Sequence, residues 1–285
     1  MKVLVLGATG TVGRPVVQAL LGRGDRVRVL TRNPAKAGLL GASVEVNAGD
    51  LAKPETLGPA FEGIDGLFLL NAVTMTETQE GLAALEWAKR AGVKKLVYLS
   101  VHHVDDAPHI PHFGGKVAIE AAIRKSAIDS TILRPNNFYQ NDDGLRDVIV
   151  NYGVYPQPLG DVGLNRVDVR DIAEAAAQAF AGRAPHQTIA LVGPDVLTGA
   201  STAQVYSRHL GKAITYGGND LDAWEKQVLQ FLPPWMVFDL RMMFAHFQKH
   251  GLRGTADELK TLETLLGHAP RSFDAFVGEM VASRS

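Results

Sequence analysis

The stretch Gly7-Ala8-Thr9-Gly10-Thr11-Val12-Gly13 decides the fold, because it lies between an apolar run and a helix-like pattern. Residues 3–6 before it are Val, Leu, Val and Leu, and residues 16–21 after it form the helix-like pattern. A strand, a glycine-rich turn and a helix in this order predict the pyrophosphate cradle of a dinucleotide-binding fold.

Each glycine of this motif has its own task. Gly7 allows a tight turn, Gly10 lets the backbone approach the phosphates with no Cβ in the way, and Gly13 lets helix and strand pack closely. The helix then begins with unpaired N–H groups and a partial positive charge that face the anion. The motif therefore predicts where the pyrophosphate of a dinucleotide binds.

The residues after the second predicted strand, 26–30, indicate which dinucleotide binds. An NAD site usually has an Asp or Glu about 20 residues past the glycine motif, where it accepts hydrogen bonds from the ribose. No acid stands there in this chain; Arg32 occupies the position and Lys36 follows one helical turn later. A guanidinium group suits a 2′-phosphate better than a bare diol. We therefore predict NADP(H) as the cofactor, with two solvated surface cations as the alternative.

The composition excludes several classes of protein. The 285 residues include no cysteine, which excludes disulfides and thiolate metal sites. The formal net charge is -1 and no long block of like charge occurs, so we expect no direct nucleic-acid partner. No apolar run approaches the ~20 residues that a bilayer requires, and the first strand starts at Lys2, which leaves no room for a signal peptide. We expect a soluble, cytoplasmic protein with no membrane contact.

Apolar runs alternate with amphipathic stretches through the first half of the chain. This alternation predicts an α/β fold with a doubly wound parallel sheet, a Rossmann architecture, whose ligands bind at the carboxyl ends of the strands. After the first strand and helix, the predicted strands are 26–30, 44–46, 66–70, 95–100, 130–134 and 187–192, and the predicted helices are near 55–61, 79–91, 115–125 and 172–180, the last capped by Asp171.

The regular alternation weakens after the sixth predicted strand, which indicates a second region on the substrate side. Residues 142–165 are rich in Gly and Pro, which predicts a loop with at most one helix and the role of a substrate lid. The final third is predominantly helical. We predict a Rossmann domain over residues 1–140, to which residues 166–192 return, and a smaller substrate-side region formed by residues 141–165 and 193–285.

The helical final third concentrates aromatic side chains. Such a set either walls an apolar pocket or forms ordinary helix-packing core, and both interpretations stay open. The residues are Trp224, Phe231, Trp235, Phe238, Phe244 and Phe247.

Six motifs follow one another along the chain. They are G-A-T-G-T-V-G at 7–13, T-R-N-P-A-K at 31–36, G-D-L-A-K-P-E-T-L at 49–57, H-F-G-G-K at 112–116, T-I-L-R-P-N-N-F at 131–138 and V-D-V-R-D-I-A at 167–173. With them the chain resembles the NmrA-like branch of the atypical short-chain dehydrogenase/reductase superfamily over nearly its whole length. The resemblance implies an NADP(H)-binding Rossmann domain with a small C-terminal substrate-side domain. It also implies two kinds of member, reductases of quinones, dyes and similar acceptors, and sensors that bind the nucleotide without turning it over.

The same resemblance implies roles for individual cofactor-binding residues. These are Thr9, Gly10, Thr11 and Val12 at the pyrophosphate, Arg32 and Lys36 at the 2′-phosphate, Asp50 and Leu51 beside the adenine, Asn71, Ala72 and Val73 near the nicotinamide ribose, and Pro135, Asn137 and Phe138 against the nicotinamide ring. For Asp50, the alternative of a helix N-cap stays open.

His112 and Lys116 are the candidate catalytic residues that the resemblance implies. Short-chain dehydrogenases of the usual kind carry Tyr-x-x-x-Lys, in which the tyrosine donates a proton to an alkoxide and the lysine assists it and holds the nicotinamide ribose. Here the lysine is kept as Lys116, and His112 stands at the tyrosine position. An imidazole is able to protonate an oxyanion at neutral pH, so His112 is a chemically reasonable donor. A simply solvated histidine is the alternative.

Four histidines, His102, His103, His109 and His112, fall in one predicted polar loop. Such a cluster suggests a metal ion. However, no histidine and carboxylate have convincing ligand spacing on a helix, so we predict no metal site.

Three functions fit these residues. The first is an NADPH-dependent oxidoreductase that transfers hydride to a small conjugated acceptor such as a quinone or dye, which needs little acid because it delocalises the incoming charge. The second is a non-catalytic NADP(H) sensor that signals to a protein partner. The third is a carbonyl reductase in which His112 replaces the tyrosine. A reductase is expected to leave an apolar pocket beside the nicotinamide, whereas a sensor fills that space with side chains.

Overall fold

The fold is seen in a computed structural model, which describes residues 1–184 and 186–283. Residue 185 and the last two residues of the predicted substrate-side region, 284 and 285, lie outside the described part. The strands are β1 (Lys2–Val5), β2 (Arg26–Thr31), β3 (Glu45–Ala48), β4 (Gly66–Leu69), β5 (Lys95–Leu99), β6 (Asp129–Pro135), β7 (Val154–Tyr155), β8 (Thr188–Leu191) and β9 (Thr215–Tyr216).

Helices cover both faces of the sheet and form most of the final third. They are α1 (Gly13–Gly22), α2 (Pro34–Ala37), α3 (Gly58–Phe61), α4 (Glu77–Arg90), α5 (Pro111–Arg124), α6 (Arg146–Tyr152), α7 (Val169–Phe180), α8 (Gly199–Leu210), α9 (Leu221–Val228), α10 (Pro234–His250), α11 (Ala256–Leu266) and α12 (Phe273–Ala282), with 3-10 turns at Gly38–Leu40, Pro54–Thr56 and Tyr139–Leu145.

Seven parallel strands form the main sheet, in the order β3-β2-β1-β4-β5-β6-β8. This order confirms the predicted doubly wound Rossmann architecture. The chain reverses direction across the sheet between β1 and β4, and such a reversal opens a crevice at the carboxyl ends of the two strands. The two-residue strands β7 and β9 pair in a separate small sheet.

Gly7 and Gly13 shape the turn that leads from β1 into α1. Gly7 has φ +66, in the left-handed region that favours glycine. A Cβ on Gly13 would lie 2.1 Å from the carbonyl oxygen of Gly7, far inside van der Waals contact. The start of α1 therefore packs directly on the turn, as the sequence predicts.

Several element boundaries differ from the sequence prediction. The helix expected near 55–61 is broken into a 3-10 turn and the short α3, with prolines in the first turn of each. Helix α5 begins at Pro111 rather than near 115, because Pro is favoured in the first turn. The N-cap of α7 is Asp168, whose side chain accepts from the backbone N–H of Arg170, so the prediction of Asp171 as the cap is wrong.

The final third packs around its own hydrophobic core, which also includes Ile110 and Phe113 at the start of α5. A fully buried ion pair crosses this core, because the Arg166 guanidinium donates two hydrogen bonds, of 2.9 and 3.1 Å, to the carboxylate of Asp142. Residues 142–165, predicted as a loop with at most one helix, contain α6 and β7 and bury Tyr155 in this core. The division of the chain into domains stays a prediction.

Within 1–184 and 186–283, no helix is both long and apolar enough to cross a bilayer.

We predict that Gly13→Ala destabilises the protein by about 1–3 kcal/mol, because the added methyl group overpacks the turn. Gly22→Ala, at the other end of α1, is the matched control, since a Cβ there has no atom within 4 Å. Urea denaturation of both variants measures the difference. Equal free energies of unfolding for the two would show that the close approach of Gly13 to Gly7 does not constrain the fold.

Candidate functional site

A first cavity of about 260 Å³ lies at the carboxyl ends of β1, β2, β3 and β4. The reversal of the sheet thus places it where the sequence predicts the nucleotide. Its lining residues are Leu6, Gly7, Thr9, Leu30, Thr31, Arg32, Asn33, Lys36, Gly49, Asp50, Leu51, Ala52, Leu70, Ala72, Thr74 and Glu80.

The start of α1 fits a pyrophosphate. Gly10 is exposed, and a Cβ on it would meet only the carbonyl oxygen of Gly7, at 3.3 Å. The N-cap of α1, Val12, makes no side-chain hydrogen bond. At the start of the helix, the N–H of Arg14 donates to the carbonyl oxygen of Gly10 and Pro15 has no N–H, so the N–H of Gly13 is the one left for an anion. The side chain of Val12 itself packs in the core, so only its backbone is available, while Thr11 is exposed beside it.

Arg32 and Lys36 form the cationic end of the first cavity. Both side chains are exposed, and neither has an ion pair or side-chain hydrogen bond with another described residue. Asn33 caps the short α2 between them by accepting from the backbone N–H of Ala35 at 3.1 Å. Two free cations on one short, capped turn fit the two negative charges of a 2′-phosphate.

Asp50 and Leu51 line the same cavity at the end of β3. The Asp50 carboxylate accepts from the backbone N–H of Ala52 at 3.2 Å, in a turn. The N-cap position of the following 3-10 turn is occupied by Lys53, whose side chain makes no capping hydrogen bond. The alternative of Asp50 as a helix N-cap is therefore wrong.

Asn71 is a buried amide without a partner. It follows β4, is 5% exposed, and neither its Oδ1 nor its Nδ2 has a hydrogen-bond partner among the described residues. Leaving such a group unpaired costs about 1–3 kcal/mol. Asn71 lies between Leu70 and Ala72, which line the first cavity, but it does not line that cavity itself, so its contact with the nucleotide stays a prediction.

A second cavity of about 550 Å³ adjoins the first, and Thr74 lines both. Its walls come from the start of α4, the start of α5 and the start of α10, none of which lies in the predicted lid segment 142–165. The lining residues are Thr74, Met75, Glu77, Thr78, Pro111, His112, Gly115, Pro234, Trp235, Phe238 and Asp239.

His112 faces the second cavity from the first turn of α5. Its Nδ1 lies 2.6 Å from Oδ1 of Asp239 on α10, and both side chains are at least nine-tenths buried. Because a carboxylate oxygen accepts, Nδ1 carries the proton of this hydrogen bond. His112 is therefore neither in a polar loop nor solvated, contrary to the sequence prediction, because α5 begins one turn earlier than expected.

Lys116 follows His112 by one helical turn and pairs with Glu77 of α4 inside the protein. Burial raises the pKa of the Glu77 carboxyl, the positive charge of Lys116 opposes that shift, and the charges of His112 and Asp239 also act on it. The Oε2 atom of Glu77 is buried without a hydrogen-bond partner. Glu77, His112 and Asp239 thus form the polar floor of the second cavity, whereas Lys116 pairs with Glu77 but lines neither cavity itself.

Two of the other histidines in the predicted loop, His102 and His103, lie outside the second cavity. His102, which is buried, and His103 lie near Glu258 of α11, and the ligand atoms of all three are within 4.8 Å of one another. Sequence spacing could not indicate this cluster, because 156 residues separate His102 from Glu258.

The surroundings of His102 do not suit a metal ion. Its Nδ1 accepts from Nδ2 of Asn136 at 3.1 Å, so its Nε2 carries the proton and donates to Glu258. A metal-bound histidine instead donates its second N–H to an acceptor. Burial and His103 lower the pKa of His102 to about 4, so the ring is neutral at pH 7. The prediction of no metal site stays untested.

The remaining predicted cofactor residues lie at the carboxyl edge of the sheet but line neither cavity. Pro135 ends β6 and is buried, whereas Val73 is 37% exposed. Asn137 accepts from Nε of Arg166 at 3.0 Å, and the ring of Phe138 packs against the main core. The side chain of Asn137 is therefore held by Arg166, beside the core of the final third. Its contact with a nicotinamide stays a prediction.

The aromatic set of the final third divides between the two interpretations. Phe244 and Phe247 are buried core residues, and Trp224 packs against them. Trp235 and Phe238 line the second cavity, and Phe238 is 57% exposed. Phe231 lines neither cavity and is 80% exposed.

Glu77 and Asp239 line the second cavity but were not predicted from the sequence as site residues. Neither belongs to a recognisable motif, and each is separated in sequence from the residue that it contacts, by 39 and 127 positions respectively. One signal was present for Asp239, since an acid within the aromatic pattern of a buried helix needs a partner.

Comparison with known proteins places these cavities in context. The model of the NmrA-like family matches residues 1–277. An NAD(P)H azoreductase of Xenophilus azovorans is 30% identical over 279 residues, covering 96% of each chain. A (4-alkanoyl-5-oxo-2,5-dihydrofuran-3-yl)methyl phosphate reductase of Streptomyces griseus is 31% identical over 274 residues, covering 95% of each chain.

Among solved structures, the chain is similar to the NADPH complex of an NADPH-dependent quinone oxidoreductase from Escherichia coli. The TM-score is 0.86 at 25% sequence identity, and the match covers 98% of this chain and 99% of that one.

We predict that Arg32→Ala weakens NADPH binding about 10- to 100-fold and leaves NADH binding unchanged, because a charge-assisted hydrogen bond to the 2′-phosphate contributes about 1.5–3 kcal/mol. Arg26→Ala, at the opposite end of β2, is the control. Fluorescence titration with both nucleotides gives the dissociation constants. Equal affinity of the wild type for NADPH and NADH, or an unchanged NADPH affinity in Arg32→Ala, would contradict the assignment.

Proposed function

Because the chain belongs to the NmrA-like family, we propose that it is an NADPH-dependent oxidoreductase that transfers hydride to a small conjugated acceptor such as a quinone or dye. The cofactor is NADP(H). The observation that carries the proposal is the open second cavity, which adjoins the nucleotide crevice and has apolar walls above a charged floor.

Residues of the first cavity and of the neighbouring strand ends hold the nucleotide. The turn from Gly7 to Gly13 and the start of α1, with Thr9, Gly10, Thr11 and Val12, bind the pyrophosphate; the N–H of Gly10 donates to the carbonyl oxygen of Gly7, so its neighbours supply the N–H groups for the phosphates. The further contacts are Arg32 and Lys36 with the 2′-phosphate, Asp50 and Leu51 with the adenine, Asn71, Ala72 and Val73 with the second ribose, and Pro135, Asn137 and Phe138 with the nicotinamide.

The second cavity supports a reductase rather than a sensor. Its volume of about 550 Å³ falls in the ~300–1,000 Å³ range of small-molecule sites, whereas a sensor has no need for this space. Met75 and Phe238 are 75% and 57% exposed at its rim, so apolar surface is left for a planar ligand to cover. The acceptor therefore binds between α4 and α10.

Bound NADPH supplies the hydride, and the protein supplies position and a proton. Trp235 and Phe238 hold the acceptor flat against the nicotinamide edge and keep water from one of its faces. Lys116 donates to the hydroxyls of the nicotinamide ribose. His112 presents Nε2 to the cavity as a proton donor, and this position favours carbonyl reduction as a second candidate activity.

We also propose a cytoplasmic location, which the absence of cysteine supports. The partner is a small-molecule acceptor. A protein partner belongs to the sensor alternative, in which nucleotide occupancy alone carries the signal.

The decisive experiment follows NADPH oxidation at 340 nm with quinones, azo dyes, enones and aldehydes. Turnover of at least one quinone or dye, above the rate without protein, is the expected result. Tight NADPH binding with no turnover in the whole panel would replace the reductase with the sensor.

We predict that Phe238→Ala raises KM for a quinone or dye about 2- to 12-fold, because loss of an aromatic contact costs about 0.5–1.5 kcal/mol beyond buried area. KM for NADPH stays the same. Phe231→Ala removes another exposed ring, which lies outside the cavity, and it serves as the control. Equal KM values for the two variants would place the acceptor elsewhere.

We predict that His112→Phe slows reduction of a carbonyl substrate about 10²–10⁴-fold and of a quinone much less, because only the carbonyl develops localised charge that must be protonated. Steady-state rates with both substrates measure the ratio. Equal slowing of the two would exclude His112 as a selective proton donor.

Lys116 requires a paired variant. Lys116→Ala alone leaves Glu77 buried and unpaired, which destabilises a protein by about 3–5 kcal/mol. Lys116→Met combined with Glu77→Gln removes both charges, and we expect slower reduction of every acceptor through looser ribose positioning. Rates within about twofold of wild type would exclude both residues from the reaction.

A further inference from the structure

We propose that Asp239 is a positioning residue, which holds His112 as its Nδ1–H tautomer so that Nε2 exchanges the proton with the acceptor. The inference rests on the proposed function for its chemistry and on the contact between α5 and α10 for its geometry. No sequence motif links the two residues.

The contact is short, buried and directional. Nδ1 of His112 donates to Oδ1 of Asp239 over 2.6 Å, and the side chains are 10% and 5% exposed. His112 is the one hydrogen-bond partner of the Asp239 carboxylate among residues 1–184 and 186–283. Nε2, at the other end of the ring, has no partner among these residues and belongs to a side chain that lines the second cavity.

Both partners are held by one hydrophobic core. Phe113, next to His112, and Phe244 and Phe247, on the same helix as Asp239, all belong to the core of the final third. The ring of Phe113 also packs edge-on against the imidazole, with 4.7 Å between centroids. The carboxylate and the imidazole are therefore fixed relative to each other by packing as well as by their hydrogen bond.

Helix α10 also carries the wall of the cavity. Phe238 and Asp239 follow Trp235 by three and four residues along α10, so the three side chains lie on one face of the helix. All three line the second cavity. One helix thus holds the acceptor and the carboxylate that orients its proton donor.

The charged groups around His112 are Asp239 on α10, Glu77 on α4 and Lys116 on its own helix. Glu77 is engaged by Lys116, whereas Asp239 contacts the imidazole directly. Asp239 is therefore the group that selects the tautomer and offsets the positive charge of a protonated ring.

The chemical step balances with the hydride that bound NADPH would supply and one proton from solvent. As the acceptor takes up the hydride, it would be reduced by two electrons, NADPH would be oxidised to NADP⁺, and negative charge would develop on the acceptor oxygen. The N–H bond at Nε2 of protonated His112 breaks, and an O–H bond forms on the acceptor. The neutral ring keeps its proton on Nδ1 through Asp239, and water then returns a proton to Nε2.

The tautomer is measured directly in the wild type. Two-dimensional ¹⁵N–¹H spectra of histidine-labelled protein, taken at alkaline pH, distinguish protonated from unprotonated ring nitrogens. The signal of His112 is identified by its loss in His112→Phe. We expect Nδ1–H for neutral His112, and an Nε2–H tautomer would overturn the inference. This measurement needs no turnover, so it separates the inference from the proposed function.

Kinetics then test whether Asp239 acts through His112. Asp239→Asn keeps the shape of the side chain, and we expect kcat with a carbonyl acceptor to fall at least tenfold while KM for NADPH stays within twofold. The pH dependence of kcat that His112 confers changes in this variant. Asp274→Asn is the control, because it alters a surface pair in which Oδ1 of Asp274 lies 3.1 Å from Nε2 of His209.

The double variant His112→Phe/Asp239→Asn decides the role. If Asp239 works only by positioning His112, the double variant has the same kcat as His112→Phe. A further fall, or a kcat of Asp239→Asn within twofold of wild type, would overturn the inference. Asp239→Glu, which keeps the charge, is expected to recover part of the rate and retain the Nδ1–H signal, even where Asp239→Asn folds poorly.

Discussion

The absence of side chains at Gly7 and Gly13 is the constraint on which the rest of the structure depends. Because the carbonyl oxygen of Gly7 occupies the place of a Cβ at Gly13, α1 starts directly on the turn after β1. The start of the helix is thereby aimed at the crevice between β1 and β4, where the sheet reverses its order. A helix N-terminus without a side-chain cap at that crevice suits an anion, and the proposed nucleotide contacts are arranged around it.

The second cavity depends on a different core. Within it, the buried carboxylate of Asp142 accepts hydrogen bonds from Arg166 and from the hydroxyls of Tyr155 and Tyr206. These bonds hold together segments of the chain that are distant in sequence. Such a network costs desolvation and gains only when every group is paired, so it favours a single arrangement of the chain. The start of α10 lies against the start of α5 at one side of this core. The wall and floor of the second cavity are made by three segments far apart in sequence, the starts of α4, α5 and α10.

The charged floor supports the proposal that His112 handles the proton in a site without the usual tyrosine. A buried histidine alone is poorly oriented, and a buried carboxylate alone is costly. Together, His112 and Asp239 satisfy each other and leave Nε2 towards the cavity. Glu77 and Lys116 form a second pair beside them, in which the two opposite charges offset each other. Quinones and dyes need little acid, whereas a carbonyl acceptor needs the donor in place.

The sequence by itself determined the Rossmann sheet, the nucleotide turn, the cationic pair Arg32 and Lys36 and the family, because each depends on local patterns of a few residues. Only the tertiary structure decided which side chains meet. The meeting of His112 with Asp239 and of His102 with Glu258 depends on packing between distant helices, which carries no local periodicity. Because α5 begins at Pro111, His112 lies on a helix that lines a cavity, whereas the sequence predicted a loop there. These contacts join residues more than a hundred positions apart, and they depend on how distant helices pack. No short stretch of sequence therefore predicts them.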